Sequence, residues 1–347
     1  MSFRTWLSVV TFVLLAAILY LGRNELADAW GLLAQVNLWI LALLIPVQLI
    51  MYYSNGEMIF EYLRAKKAVK DVSRVELTRM SLEVNFVNHT LPSGGVSGVS
   101  YMTWRLGHYG VSPGRAAMSQ VVRYAIGFAA FITLLFIAII AVTIDGNVNR
   151  WIILVSCTLV FIMTVAVFGA AFLISNQARL NAFSAWLVRI VNKIVTKVTF
   201  GRRQRVLTSP KIQSFFDDLH DDYLQLRKDK RILIKPFIWG IIFTIFDVGI
   251  FLITFWALGT TVNPAPVLIA YGLASMAGFF VATPGGAGAY EALMVAFLTI
   301  AGVPSGVAIA GIVLARVIQL LTTIVFGYAF YQHAILKYGK GRPPIQR

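Results

Sequence analysis

Two stretches of the chain carry the same punctuation: Asn85-Phe-Val-Asn-His-Thr-Leu-Pro-Ser-Gly-Gly-Val-Ser-Gly98 and Thr283-Pro-Gly-Gly-Ala-Gly-Ala-Tyr-Glu291. Each sets a proline and several glycines inside an apolar segment, at about 75–110 and about 266–301. Proline lacks the amide hydrogen that a helix interior uses, and glycine is a poor helix former. Each segment therefore reads as two short helical arms joined by a break. Two half-helices meeting inside a membrane and two full spans with an uncharged turn are both compatible with such a pattern. The first is favoured, since irregular backbone at membrane depth is tolerated where protein or a wet cavity surrounds it.

Composition places these breaks in a bilayer. Of 347 residues, 58% are hydrophobic and 13% charged, against roughly 25% charged in a soluble domain. That excess of apolar side chain excludes a secreted disulfide scaffold, a disordered tail protein and an ordinary cytosolic enzyme. The single cysteine, Cys157, allows no internal disulfide or cysteine-based metal site. His89, His108, His220 and His333 show no metal-ligand spacing, and no phosphate-binding glycine loop with a following lysine occurs. Neither a metal nor a cofactor is expected, nor is catalysis.

A span needs about 20 apolar residues. Six are read, at about 5–21, 37–62, 117–144, 151–175, 232–258 and 303–337. Residues 1–29 also suit a signal peptide, although Thr5 to Leu21 is long for one. The fold class is thus an all-α integral membrane protein with about six full spans and two broken, re-entrant hairpins. One polytopic domain covers 1–347. Its first half, about 1–144, holds hairpin 75–110; a basic loop covers 176–231; the second half, about 232–347, holds hairpin 266–301.

The net charge of +15 gathers in three places. Residues 63–116 carry Arg64, Lys66, Lys67, Lys70, Arg74, Arg79, Arg105 and Arg115; residues 176–231 are basic again; the tail has Lys337, Lys340, Arg342 and Arg347. Only Arg23 and Arg150 fall on the other side. By the positive-inside rule both termini and both basic loops are cytoplasmic, in the plasma (inner) membrane. The two hairpins then enter from opposite faces, the sequence pointer to an inverted-repeat transporter with its site where the tips approach. Helix N-termini just after each break offer free N–H groups and a positive dipole end, which suit a phosphate.

A charge within the membrane is a functional hypothesis. Asp247, Glu291 and Arg316 stand out, with Arg316, Gln319 and Thr323 forming a polar stripe at helical spacing. Arg316 is read as a ligand for a lipid phosphate, with Glu291 or Asp247 as its resting partner; the alternative is a permanent ion pair stapling helices. Asn85 and Asn88 share a face with His89 and either line the cavity or bond neighbouring helices. Pro92, Gly94, Gly95, Pro284, Gly285, Gly286 and Gly288 complete the candidate site at the tips. Glu57 and Glu61 are read as interfacial, and Arg105 and His108 as headgroup contacts. Residues 179–198 form an amphipathic basic helix suited to an anionic lipid surface. Asp217, Asp218, Asp221 and Asp222 read as a solvated helix face.

The breaks, span pattern and basic loop between halves resemble the transmembrane-domain family of lysylphosphatidylglycerol synthase/flippase proteins over nearly the whole chain. The resemblance is carried by Asn85 through Gly98, Thr283 through Glu291, and Arg316. It implies lipid handling, since in well-known members this domain is implicated in moving lipid between leaflets and a soluble synthase domain follows it. The present chain stops at Arg347, so aminoacyl transfer is not expected from it. The leading expectation is a flippase or transporter for an anionic phospholipid or lipid-linked precursor. The alternative is a non-transporting scaffold for a lipid- or glycan-modifying enzyme. Membrane lipids with anionic headgroups are the expected partners, a homo-oligomer or partner membrane enzyme stays open, and nucleic acid is not expected.

The orientation is testable with single cysteines in a Cys157→Ser background. A membrane-impermeant reagent applied to intact cells should label positions beside Arg23 and Arg150 and spare positions beside Lys193 and Arg203. Labelling of the second pair would reverse the orientation.

Overall fold

The computed structural model describes Gly31 and residues 35–70, 72–90, 96–144, 150–198, 209–278 and 287–339. Among these, every regular element is a helix. Helices α1 (Leu38–Ala42) and α2 (Leu44–Ala65) form the first described span, and α3 (Arg74–Thr90) and α4 (Val96–Gly107) are the arms of the first broken segment. Then come α5 (Pro113–Ile144), α6 (Arg150–Ile174), and α7 (Gln177–Val198) with α8 (Ser209–Lys228) in the basic loop. A 3-10 turn, Lys230–Leu233, leads into α9 (Ile234–Ala257). The second broken segment supplies α10 (Pro264–Gly278) and α11 (Ala289–Ile300), and α12 (Ser305–Tyr338) follows.

Among the described residues, five helices are long and apolar enough to cross a membrane: 38–65, 113–140, 153–174, 230–257 and 305–338. They match the second to sixth expected spans. The first, 5–21, lies outside the described residues, as do Pro92, Gly94, Gly95, Pro284, Gly285 and Gly286. Large apolar side chains turn outward from the bundle, with Phe161 68% and Phe168 69% exposed on α6, and with Phe136, Val325 and Leu321 on other spans. In water such a surface would be an aggregation patch; around a membrane protein it is the face that meets lipid tails. The chain is a multi-pass, all-helical membrane protein.

The centre of the bundle is the pair α2 and α9. Asn37 caps α1 with its side chain, accepting from Trp39 N–H at 3.0 Å, and its own N–H donates to Ala257 O at 2.8 Å. At the other end Lys235 meets Glu61 at 3.9 Å. The start of one span thus touches the end of the other, so α2 and α9 run antiparallel over their length. Around them α3 packs along α12 and α10 along α5; α5 meets both central helices, and α12 meets α9 more than α2. Small residues permit the close crossings, as in other membrane bundles. Gly327 of α12 lies against Phe86 and the Leu82 carbonyl of α3, and Gly272 of α10 against the Phe131 ring of α5; neither site has room for a Cβ.

Three expectations at the basic end need correction. Glu57 is buried rather than interfacial, ion-paired with Arg64, which also holds Glu61 at 3.0 Å. Asp222 is not part of a solvated face. It is 2% exposed, accepts a hydrogen bond from Tyr62 Oη at 2.6 Å, and lies 3.5 Å from Lys66 and 3.4 Å from Arg115. Gly114 lets the α8 backbone approach closely, with Asp218 and Phe215 against it. Helix α8 is therefore docked on α5 and tied to α2 by a buried carboxylate. Arg105 does not reach headgroups. It is 1% exposed and is held by Glu83 at 2.8 Å and Glu76 at 2.8 Å, which locks the two arms of the first hairpin together. His108 bonds the Trp104 carbonyl at 3.0 Å. Each correction has one cause. A carboxylate or guanidinium facing a closed helix interface has no water, so burial forces it onto the nearest opposite charge.

Helix α7 forms as the amphipathic pattern predicts. Phe183, Leu187 and Ile190 are half-buried on one face and Arg189 and Lys193 exposed on the other, with Trp186 exposed as well.

Candidate functional site

Polar side chains converge inside the bundle from both halves. The central α2 supplies Tyr52 and Asn55, α3 Asn85, α9 Asp247, α10 Tyr271 and Ser275, α11 Tyr290, and α12 Arg316 and Gln319. They line a cavity of about 150 Å³.

Arg316 donates from Nε to Glu291 Oε1 at 2.6 Å, and its guanidinium sits 4.4 Å from the centre of the Tyr290 ring. Glu291 is fixed by its own helix start: Oε2 accepts the Gly288 N–H at 2.6 Å. This is one half of a capping box, the half a glycine cap leaves available. Gly288 has φ +91°, a conformation that side chains other than glycine's resist. The glycine of the break thus aims its amide at the carboxylate that holds Arg316.

Asp247 has a separate set of partners. Tyr271 Oη donates to Oδ2 at 2.6 Å and Gln319 Nε2 to Oδ1 at 3.4 Å. Gln319 and Arg316 are three residues apart and face the same cavity, as the polar stripe anticipates. Thr323, one turn further, shares a buried hydrogen bond with Tyr52. Of the two asparagines, Asn85 lines the cavity while donating to Ser81 O at 2.9 Å. Asn88 accepts the Gly98 N–H at 3.1 Å and so closes the first hairpin on itself. It is not among the cavity-lining residues. The side chain of His89 lies outside the described residues.

Sequence reasoning missed Tyr52, Asn55, Tyr271, Ser275 and Tyr290 of this cavity, and also Arg123 beside it. Arg123 lines a second cavity of about 210 Å³ with Asn55, Thr244, Tyr271 and Ser275. Asn55, Phe243, Tyr271 and Ser275 border both cavities, so the two adjoin. The signal for Arg123 was a guanidinium inside an apolar helix; its nearness to a basic loop made it resemble the cations that flank any span at that end.

At the mouth of the first hairpin, outside the five spans, Glu76 joins Arg105 and accepts from Tyr109 Oη at 2.9 Å. Burial pushes its carboxyl upward, but the hydrogen bonds from Arg105 and Tyr109 outweigh that and hold it below the usual range. Among the described residues, no group of three His, Cys, Asp or Glu side chains is placed to share a metal ion.

The chain matches the family described as Lysylphosphatidylglycerol synthase TM region over residues 5–327. It belongs to this family. A relative described as a UPF0104 membrane protein, from Methanothermobacter thermautotrophicus, is 24% identical over 326 residues, covering 93% of each chain. No solved structure matches. The family membership places Arg316, Glu291 and both breaks within one matched segment of the synthase TM region.

Removing one partner of a buried pair leaves the other charge stranded, at roughly 3–5 kcal/mol; the Arg316–Glu291 pair is partly buried, at 16% and 22% exposure, and falls at the low end. Glu291 would keep the Gly288 N–H after Arg316→Ala, so about 3 kcal/mol is expected, read as a lowered detergent melting temperature. The double variant Arg316→Ala/Glu291→Gln should recover most of that loss. An Arg316→Ala protein as stable as the wild type would mean that the pair carries no stabilising weight.

Proposed function

We propose that this protein moves an anionic phospholipid or lipid-linked precursor between the leaflets of the plasma (inner) membrane, both termini being cytoplasmic. The observation that carries the proposal is the polar cavity at Arg316, enclosed by helices from both halves of a family named for a lipid synthase. A polar cavity at membrane depth is costly to build and is the expected place for a headgroup to cross. The acyl chains would stay in lipid while the phosphate exchanges for Glu291 on the Arg316 guanidinium. Arginine suits that exchange because its planar fork matches carboxylate and phosphate alike.

Correspondences between the two halves support the reading, and the proposal includes an inverted repeat. Counting along equivalent spans pairs site residues across the halves. Asn55 stands 17 residues after Leu38, and Asp247 stands 17 residues after Lys230, each in a 28-residue span. Arg123 stands 10 residues after Pro113, and Arg316 stands 11 residues after Ser305. The packing pairs follow the same exchange, with α3 on α12 matched by α10 on α5. The hairpins in this scheme are re-entrant, entering from opposite faces.

The proposed activity is transport without catalysis, with the lipid itself as the principal partner. The test is reconstitution into phosphatidylglycerol vesicles holding a fluorescent phosphatidylglycerol, with an impermeant quencher added outside. Quenching beyond the outer-leaflet half is expected, together with a sharp loss for Arg316→Lys at unchanged melting temperature. Wild-type protein that leaves the inner-leaflet signal intact for every anionic lipid offered would favour the scaffold instead.

A further inference from the structure

Arg123 sits inside the α5 span, 10 residues from Pro113, or about 15 Å along the helix axis. Among the described residues, every other arginine at least partly buried in the bundle has a carboxylate: Arg64 has Glu57 and Glu61, Arg105 has Glu76 and Glu83, Arg115 has Asp222, and Arg316 has Glu291. Arg123 has none within 4 Å among the described residues. It donates from Nη1 to the neutral Asn55 Oδ1 at 3.0 Å and lies 4.2 Å from the ring of its neighbour Tyr124. Its Nε is fully buried and makes no hydrogen bond. Arg64, Arg105 and Arg115 also keep one buried donor without a hydrogen bond, so what sets Arg123 apart is the missing carboxylate: a permanently charged fork at this depth with only a neutral partner is a site short of one anion.

The surroundings indicate what that anion belongs to. Tyr124 and Phe128 border the Arg123 cavity and also a third cavity of about 310 Å³. That third space runs between α5, α6 and α8, lined by Val121, Ala125, Ala166, Ala170, Ile174 and Leu226 among others. Its lining is almost wholly apolar. It adjoins α6, whose outer face meets lipid tails. A free phosphate would use the cation and leave this groove idle; a neutral diacylglycerol would do the reverse. A molecule with a phosphodiester at one end and an acyl chain at the other satisfies both.

We propose that Arg123 and the α5–α6 groove form a phospholipid-binding site, with the phosphodiester on the Arg123 guanidinium and an acyl chain along Ala125, Ala166 and Ala170. Asn55 holds the fork in position. The site lies on the basic-end side and adjoins the Arg316 cavity through the shared Asn55, Tyr271 and Ser275, so it is the first of two phosphate stations. The assignment deepens the transport reading and rests on it for its purpose, but the binding it claims is measurable without transport.

The experiment measures binding to the purified full chain in detergent, using dihexanoyl-phosphatidylglycerol, inorganic phosphate and dihexanoylglycerol as separate probes. The wild type should bind the phospholipid at least tenfold more tightly than either other probe. Arg123→Gln should lose at least tenfold in phospholipid affinity, and Arg123→Lys less. Ala170→Trp, which fills the groove and keeps the cation, should weaken the phospholipid while leaving inorganic phosphate unchanged. It also serves as the test should Arg123→Gln not fold. Unchanged phospholipid affinity in either Arg123→Gln or Ala170→Trp would overturn the site, as would dihexanoylglycerol binding as tightly as the phospholipid. Binding that follows these expectations in a protein that fails to move lipid in vesicles would remove the transport reading and leave the site standing.

Discussion

A bilayer core offers polar groups no water, so each polar side chain that enters it must find its partner within the protein or bring a ligand to meet it. The architecture follows from how that constraint is met. The first hairpin is closed by Arg105 between Glu76 and Glu83, with Tyr101 donating to Glu83 at 2.9 Å. Helix α8 is held to the bundle by Asp222. The second hairpin is tied to α12 by Glu291, itself anchored on Gly288. In each case a carboxylate at one helix interface removes the cost of a cation on another element, and the joint becomes a fastener between segments far apart in sequence.

Arg316 and Arg123 differ from those fasteners. Arg316 borders a cavity rather than a closed interface, and Arg123 has a neutral partner where the fasteners have carboxylates. Both lie on the span that follows a broken hairpin, at nearly the same distance from its start, and both adjoin the central α2 and α9. The proposed inverted repeat would place such residues on opposite sides of one internal space. A phosphate carried past them would meet a fork of donors on each side of the membrane's midplane, without a large opening through the bundle.

Much of this was legible in the sequence because hydrophobicity at membrane depth is a strong signal. Five of six expected spans agree with the structure to within four residues at either end. The arms 74–90 with 96–107, and 264–278 with 289–300, fall where proline and glycine interrupt the apolar pattern. Arg316, Gln319 and Thr323 share a face because helical spacing requires it. What escaped is the tertiary pairing of charge. Glu76 and Glu83 are seven residues apart, two turns on one face, yet nothing local says that Arg105 of the other arm reaches them. Asp222 sits in an acidic run that looks solvated until Gly114 lets α8 lie flat on α5. Arg123 resembled the ordinary cations that flank spans at the basic end, and only the absence of a carboxylate around it separates it from them.

Two cation stations inside the bundle are proposed to receive a lipid phosphate. An electron cryo-microscopy map of the protein in nanodiscs of phosphatidylglycerol tests this most directly. The expected map has headgroup density within hydrogen-bonding distance of Arg123 or Arg316, continuous with acyl-chain density in the α5–α6 groove. A well-resolved map with Arg316 still on Glu291, Arg123 on Asn55 alone, and lipid confined to the outer surface would contradict the proposal.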